Sequence, residues 1–194
     1  MRLRPAVAAG LLAGLAACGA EQDDPSVGAD DADLLTTAYP VTVLDDGDGA
    51  ELCLGGVAES LPPQCSGPGV VGWDWTDHAG AFEDVRGTRW GDFVVTGSYD
   101  GETVTPTEVV PAADATQPEP PEDTLPAPGT GTSERELRRI QRALHDTPGF
   151  LTSGVSDQRV ELGVVHDDGS LQQRLDERYG AGVVVVWSAL QPVG

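Results

Sequence analysis

The stretch 91-GDFVVTGSYDGETVTPTEVV-110 decides how the first half of the chain folds. From Gly91 to Tyr99 and again from Glu102 to Val110, apolar and polar residues roughly alternate, which fits a half-buried strand. Asp100-Gly101 between them is a turn dipeptide, so the two runs form a hairpin. Upstream, Tyr39, Val41 and Val43 alternate in the same way. Asp45-Asp46-Gly47-Asp48-Gly49 then turns the chain, and Glu51-Leu52-Cys53-Leu54 resumes an apolar pattern as a second hairpin. Placed on an EF-hand template, this acidic turn puts Leu44 and Gly55 where carboxylates are required, so it reads as turn chemistry and not as a calcium loop. Val70 to Trp75 adds a fifth short strand, and Thr76 to Thr88 has room for a helical turn.

Five strands with a helical insertion between the third and fourth are the layout of an OB-like barrel, here over residues 38–112. The likeness is one of architecture and implies no function. Within it, Val71, Trp73 and Trp75 share one strand face and Asp74 the other. Trp90 begins the next strand. The three rings, Trp73, Trp75 and Trp90, read first as core and second as a stacking platform for a glycan or peptide, with Asp74 or Asp92 as a polar rim. Cys53 and Cys65 are an even pair that reads as a disulfide in an exported chain, closing a short loop around Pro62-Pro63. A zinc site needs further ligands at suitable spacing, and His78, His145 and His166 are scattered, so no metal is expected.

Residues 113–132 are rich in proline and acid with almost no large apolar side chain, the composition of a semi-rigid linker. Ser133 and Glu136 then form a capping-box pattern opening a helix to about His145, with Leu137, Ile140 and Leu144 on one face. Thr147-Pro148-Gly149 stops it. Val160, Leu162 and Val164 alternate as a strand, Ser170 to Tyr179 reads as a second helix ended by Gly180, and Val183 to Trp187 is a continuous apolar run expected to be buried on both faces. The intervening length suits a right-handed crossover between parallel strands. Residues 133–194 are thus expected to form a small α/β sandwich, separate from the barrel. Its strand-helix-strand shape loosely resembles pro-regions of secreted proteases.

At the other end, Arg2 and Arg4 precede an apolar stretch from Ala6 to Leu15, too short to span a bilayer as a helix. Leu15-Ala16-Ala17-Cys18 follows and resembles the lipobox of bacterial lipoproteins. The resemblance implies a signal peptide over 1–17, cleavage before Cys18, a diacylglyceryl group on Cys18 and retention on the outer side of the cytoplasmic membrane. Two acyl chains suffice for stable anchoring. Residues 18–37 carry six acids and little apolar patterning, and read as a disordered acidic stalk. Further on, Leu52-Cys53-Leu54-Gly55 through Pro62-Pro63-Gln64-Cys65, followed by Gly72-Trp73-Asp74-Trp75, resembles a segment of uncharacterised secreted or lipidated actinobacterial proteins, a likeness that implies no known activity.

The whole chain of 194 residues has 11 basic residues against 32 acidic ones and a net charge of -21. Affinity for phosphate backbones comes from clustered cations, so a nucleic-acid partner is excluded. All the basic residues are arginines, and there is no Lys or Asn, as coding in a GC-rich genome would give. Arg135, Arg138, Arg139 and Arg142 cluster on the first helix. They read as a solvated face with Glu134 paired to Arg138, or as a docking patch for an anionic surface. His166-Asp167-Asp168 with Ser170 lies where a strand ends and reads as a turn with a helix cap; near neighbours in sequence do not make a catalytic triad. No phosphate loop, nucleophile elbow or zinc-hydrolase helix is present. The expectation is a membrane-anchored extracytoplasmic lipoprotein that binds an envelope glycan, peptide or protein, without a cofactor. An accessory protein or inhibitor of a secreted hydrolase is the alternative, and an enzyme ranks third.

Overall fold

The structure is a computed structural model and describes residues 34–116, 127 and 131–193. The expected signal peptide, Cys18, the expected stalk up to residue 33 and most of the expected linker lie outside the described residues. The strands are β1 (Leu35–Thr36), β2 (Val41–Asp45), β3 (Ala50–Leu52), β4 (Gly69–Val70), β5 (Glu83–Val85), β6 (Thr88–Tyr99), β7 (Thr103–Pro111), β8 (Phe150–Ser156), β9 (Arg159–Val164), β10 (Val184–Ser188) and β11 (Gln191–Pro192). Two α-helices, α1 (Glu134–Ala143) and α2 (Ser170–Tyr179), follow the linker, and a 3-10 turn spans Trp75–His78. Among the described residues no helix is long and apolar enough to cross a membrane.

The barrel closes through β2-β3-β4-β7-β6 and back to β2, with β4 and β7 parallel and the other pairs antiparallel. This is the expected five-stranded OB-like ring, with the helical turn between its third and fourth strands. Long β6 makes closure possible. Its first half pairs with β2 on one side, and its second half pairs with β7 on the other. A bulge at Thr96/Gly97 bends it. A Cβ on Gly97 would collide with the Thr105 carbonyl oxygen, so only glycine lets the strands approach there. Val43, Leu52, Phe93, Val95 and Val104 fill the interior.

The sandwich has one three-stranded sheet, β10-β9-β8, with β9 and β10 parallel across the α2 crossover. Both helices cover one face: Leu137, Ile140, Leu144 and Leu175 pack on Val160, Leu162, Val164 and Val184. Ser133 Oγ caps α1 by accepting from the Glu136 amide, while the Glu136 carboxylate pairs with Arg139. The edge of β10 is covered by a side chain. Gln172 of α2 donates to the Val184 carbonyl at 3.0 Å and accepts from the Val186 amide at 2.8 Å, so its amide imitates a neighbouring strand.

Several elements differ from the sequence reading. Of the expected strand 70–75 only Val70 stays in the sheet, joined there by Gly69, because Gly72 adopts a φ of 73° and Asp74 caps the 3-10 turn. Val71 is consequently exposed and does not share a face with the tryptophans. The residues read as stalk end inside the sheet: Leu35 and Thr36 pair with Gly97 and Thr96 on one side and with Pro192 and Gln191 on the other. Strand β8 adds a third member to the sandwich, and Trp187 on β10 is 43 % exposed, so that strand is not buried on both faces throughout.

The two units also touch. Val165 and Leu190 lie in the barrel's hydrophobic cluster, and Leu151 packs against it. Val165 follows the helix-facing Val164, so by alternation it turns to the opposite side of the sheet, toward the barrel.

Candidate binding cleft

The expected trio of tryptophans is divided. Trp73 and Trp75 meet edge to face with centroids 5.3 Å apart, and both pack near Phe93. Trp73 stacks on His78 at 4.3 Å. Trp75 is 5 % exposed, and its indole N–H donates to Asp45 Oδ2 at 3.0 Å, so its polar end is satisfied within the fold. Burial pushes the Asp45 carboxyl up, but the Gly47 amide, the Trp75 indole, the Gly49 amide and Arg89 together hold it below its ordinary value. Trp90 stands on the other face of β6, because Gly91, Phe93 and Val95 are the inward residues of that strand. It borders a separate groove with Phe82 and Asp92, and no ring contact joins it to Trp73 or Trp75 among the described residues. Asp74 does not form a rim, since its Oδ1 accepts from the Thr76 amide and hydroxyl, each at 2.8 Å.

His166, Asp167 and Asp168 are structural in geometry. Asp167 accepts from the Leu171 and Gln172 amides at 2.8 and 3.1 Å, and Asp168 accepts from the Ser170 amide, so both carboxylates cap α2. His166 Nδ1 lies 2.9 Å from the Leu190 carbonyl oxygen. His145 packs its ring beside Phe150. Among the described residues no group of three or more His, Cys, Asp or Glu is arranged to hold a metal ion.

One concavity lies outside what the sequence reading anticipated. A cleft of about 560 Å³ opens between the barrel and the sandwich. Its barrel wall is the segment around the Cys53–Cys65 disulfide, whose Cα atoms are 5.6 Å apart. A bridge between Ala58 and Gln64 narrows that loop. Gly67 holds it against the barrel, since a Cβ there would overlap the Leu52 carbonyl oxygen. The Tyr99 hydroxyl donates to the Gly101 carbonyl at 2.7 Å, and burial together with Asp100 and Glu102 pushes its phenol up.

The sandwich wall comes from β8. Residues Phe150 and Thr152 pair with Val164 and Gly163 in succession, so Leu151 is an extra residue in a bulge. The bulge turns Leu151 out of its own sheet and toward the barrel, with its Cδ2 3.8 Å from where a Cβ of Gly55 would stand. Phe150, Leu151 and Val165 therefore give an apolar wall facing glycine peptide groups, with Gln64, Ser66 and exposed Glu102 supplying polar contacts. Such a mixture can take an extended segment through its backbone and apolar side chains, and Glu102 favours a cationic group at the rim. The one sequence signal for this wall is the adjacent apolar pair Phe150-Leu151 directly after Pro148-Gly149, which breaks strict alternation.

No protein family, curated protein or solved structure matches this chain.

Proposed function

We propose that the protein is an extracytoplasmic binding module, anchored by lipid at Cys18, which holds a peptide or protein segment of the cell envelope in the cleft between barrel and sandwich. The observation that carries the binding role is the cleft's construction, an apolar wall from Phe150 and Leu151 opposite the peptide groups of a disulfide-held loop. The lipobox-like Leu15-Ala16-Ala17-Cys18 supports the anchor. The disulfide supports an oxidising compartment. The acidic barrel, with thirteen Asp and Glu against two Arg between residues 34 and 112, supports a partner of basic character.

A photo-crosslinking amino acid in place of exposed Ser66, used in the producing cells, tests this. The expected result is a discrete adduct that disappears when Glu102→Lys is added, since that change reverses the rim charge without touching the core. Unchanged adducts in the Glu102→Lys chain would contradict the cleft as the site. Recovery of a secreted hydrolase in the adduct would favour the accessory or inhibitor role.

A further inference from the structure

We infer that the outer face of the two-helix layer is a cationic platform that lies against an anionic phospholipid bilayer and sets the orientation of the anchored protein. The choice of a bilayer as occupant rests on the lipid anchor at Cys18.

The charge distribution is uneven. Helix α1 carries four arginines against two glutamates, in a chain whose acidic residues outnumber its basic ones nearly threefold. Its buried side is Leu137 and Ile140, so Arg135, Arg138, Arg139 and Arg142 all point outward and are exposed. Arg135 and Arg142 are seven residues apart, two turns, and share one stripe. On α2, Arg174 and Arg178 form an exposed i, i+4 pair beside buried Leu175, balanced in number by Asp176 and Glu177, so the excess positive charge of the layer comes from α1. The two stripes meet, because Arg139 and Arg178 border the same cavity between the helices.

Arg138 and Arg139 pair with Glu134 and Glu136 but remain 58 % and 71 % exposed at their side chains. Arg135, Arg142, Arg174 and Arg178 form no ion pair among the described residues, and Arg178 lies over the Tyr179 ring at 5.1 Å. Anionic surfaces attract such residues only within about a Debye length, roughly 8 Å at physiological salt. The barrel packs on the face of the sheet away from the helices, since Val164 lies in the helix-side cluster and Val165 in the barrel cluster, and stacked layers stand about 10 Å apart. The two helices together carry six arginines against four acids, Glu134, Glu136, Asp176 and Glu177, so at the bilayer it is the α1 side of the layer that is felt as positive, while the acidic barrel is screened or turned away. Fifteen residues separate Cys18 from Leu34, a span of at most roughly 55 Å. That reach leaves every face of the protein able to meet the membrane, so charge selects which one does.

The unlipidated chain from Gly19 onward contains every described residue and can be sedimented with vesicles. The vesicles are 30 % phosphatidylglycerol in phosphatidylcholine, or phosphatidylcholine alone, at low and high salt. The expected result is partitioning to the anionic vesicles that falls as salt rises. Arg135→Glu with Arg142→Glu should weaken it by about thirtyfold or more, from the attraction lost per arginine near such a surface. Arg86→Glu on the barrel should leave it unchanged, and circular dichroism establishes that each variant is folded. Equal partitioning to both vesicle types, or an unaffected double variant, would overturn the inference. Binding to a soluble polyglycerol phosphate but not to vesicles would overturn it in favour of a wall polymer. Acylation of Cys18, followed by radiolabelled palmitate in the full chain, reports on the anchor independently of either outcome.

Discussion

The Leu190 amide donates to the Val165 carbonyl at 2.8 Å, and both side chains lie in the core of the barrel although neither residue belongs to one of its five strands. Two residues later the chain runs antiparallel to Leu35–Thr36, and Val193 donates to the Leu34 carbonyl. The last strand thus sews the sandwich to the first strand of the barrel sheet. The cleft exists because of this seam, since its apolar wall is carried by β8 and its glycine wall by the barrel.

Leu190→Ala should therefore destabilise both units together. Leu190 is 2 % exposed, and truncating a buried leucine costs about 3 kcal/mol, which for a chain of this length lowers the melting temperature by roughly 6–12 °C. Calorimetry should show one transition moved down. Loss of the sandwich signal alone would mean that the barrel does not depend on Leu190.

The Asp45–Trp75 bond should titrate. The folded carboxyl lies below its ordinary value of 3.8, so its contribution is complete above that value and is lost as pH falls through the lower folded value. Tryptophan emission should shift to the red below about pH 4. Asp45→Ala leaves the buried indole N–H without its partner, at a cost of about 1–3 kcal/mol, and should remove that acid step. A persistent step in the variant would assign it to another carboxylate.

Replacing Cys53 and Cys65 with serine should cost roughly 3 kcal/mol, as chain entropy gives for a loop this short. Mass mapping of the exported protein without reductant should give one linked peptide and no free thiol at either position. The double variant should also lose the Ser66 cross-link, because the loop that forms one cleft wall is no longer held.

Gln172→Leu should expose the outer edge of β10. The Val184 carbonyl and Val186 amide then lose their side-chain partner, and an unpaired edge invites another strand. Light scattering should show concentration-dependent self-association, which Gln172→Glu partly reproduces because a carboxylate cannot donate to Val184. A monodisperse Gln172→Leu protein would mean that the edge is protected by something else.

Much of the barrel was legible because its hairpins turn on local signals, Asp100-Gly101 above all. The parallel pair around α2 was legible because two apolar strands flank a capped helix of the right length. Strands β1 and β11 were not, since two-residue strands carry no periodicity and owe their pairing to residues far away in the chain, β6 for β1 and each other across most of the sequence. Alternation assigns Trp73 and Trp75 to a strand because it says nothing about Gly72 turning the backbone. The tryptophan platform failed as a trio for a reason visible in β6 itself: placing Phe93 and Val95 inward forces Trp90 outward. The cleft was hidden because Leu151 reaches Gly55 only through a bulge, which a reading of each unit alone does not connect.

Limited proteolysis followed by gel filtration tests most directly the claim that barrel and sandwich form one body around a shared cleft. Cleavage is expected between Pro111 and Ser133, where the sequence is rich in proline and acid with almost no large apolar side chain. The account requires the two fragments to elute together at the size of the intact protein under native conditions and to separate only in denaturant. Fragments that separate on their own without denaturant, each still folded, would contradict it.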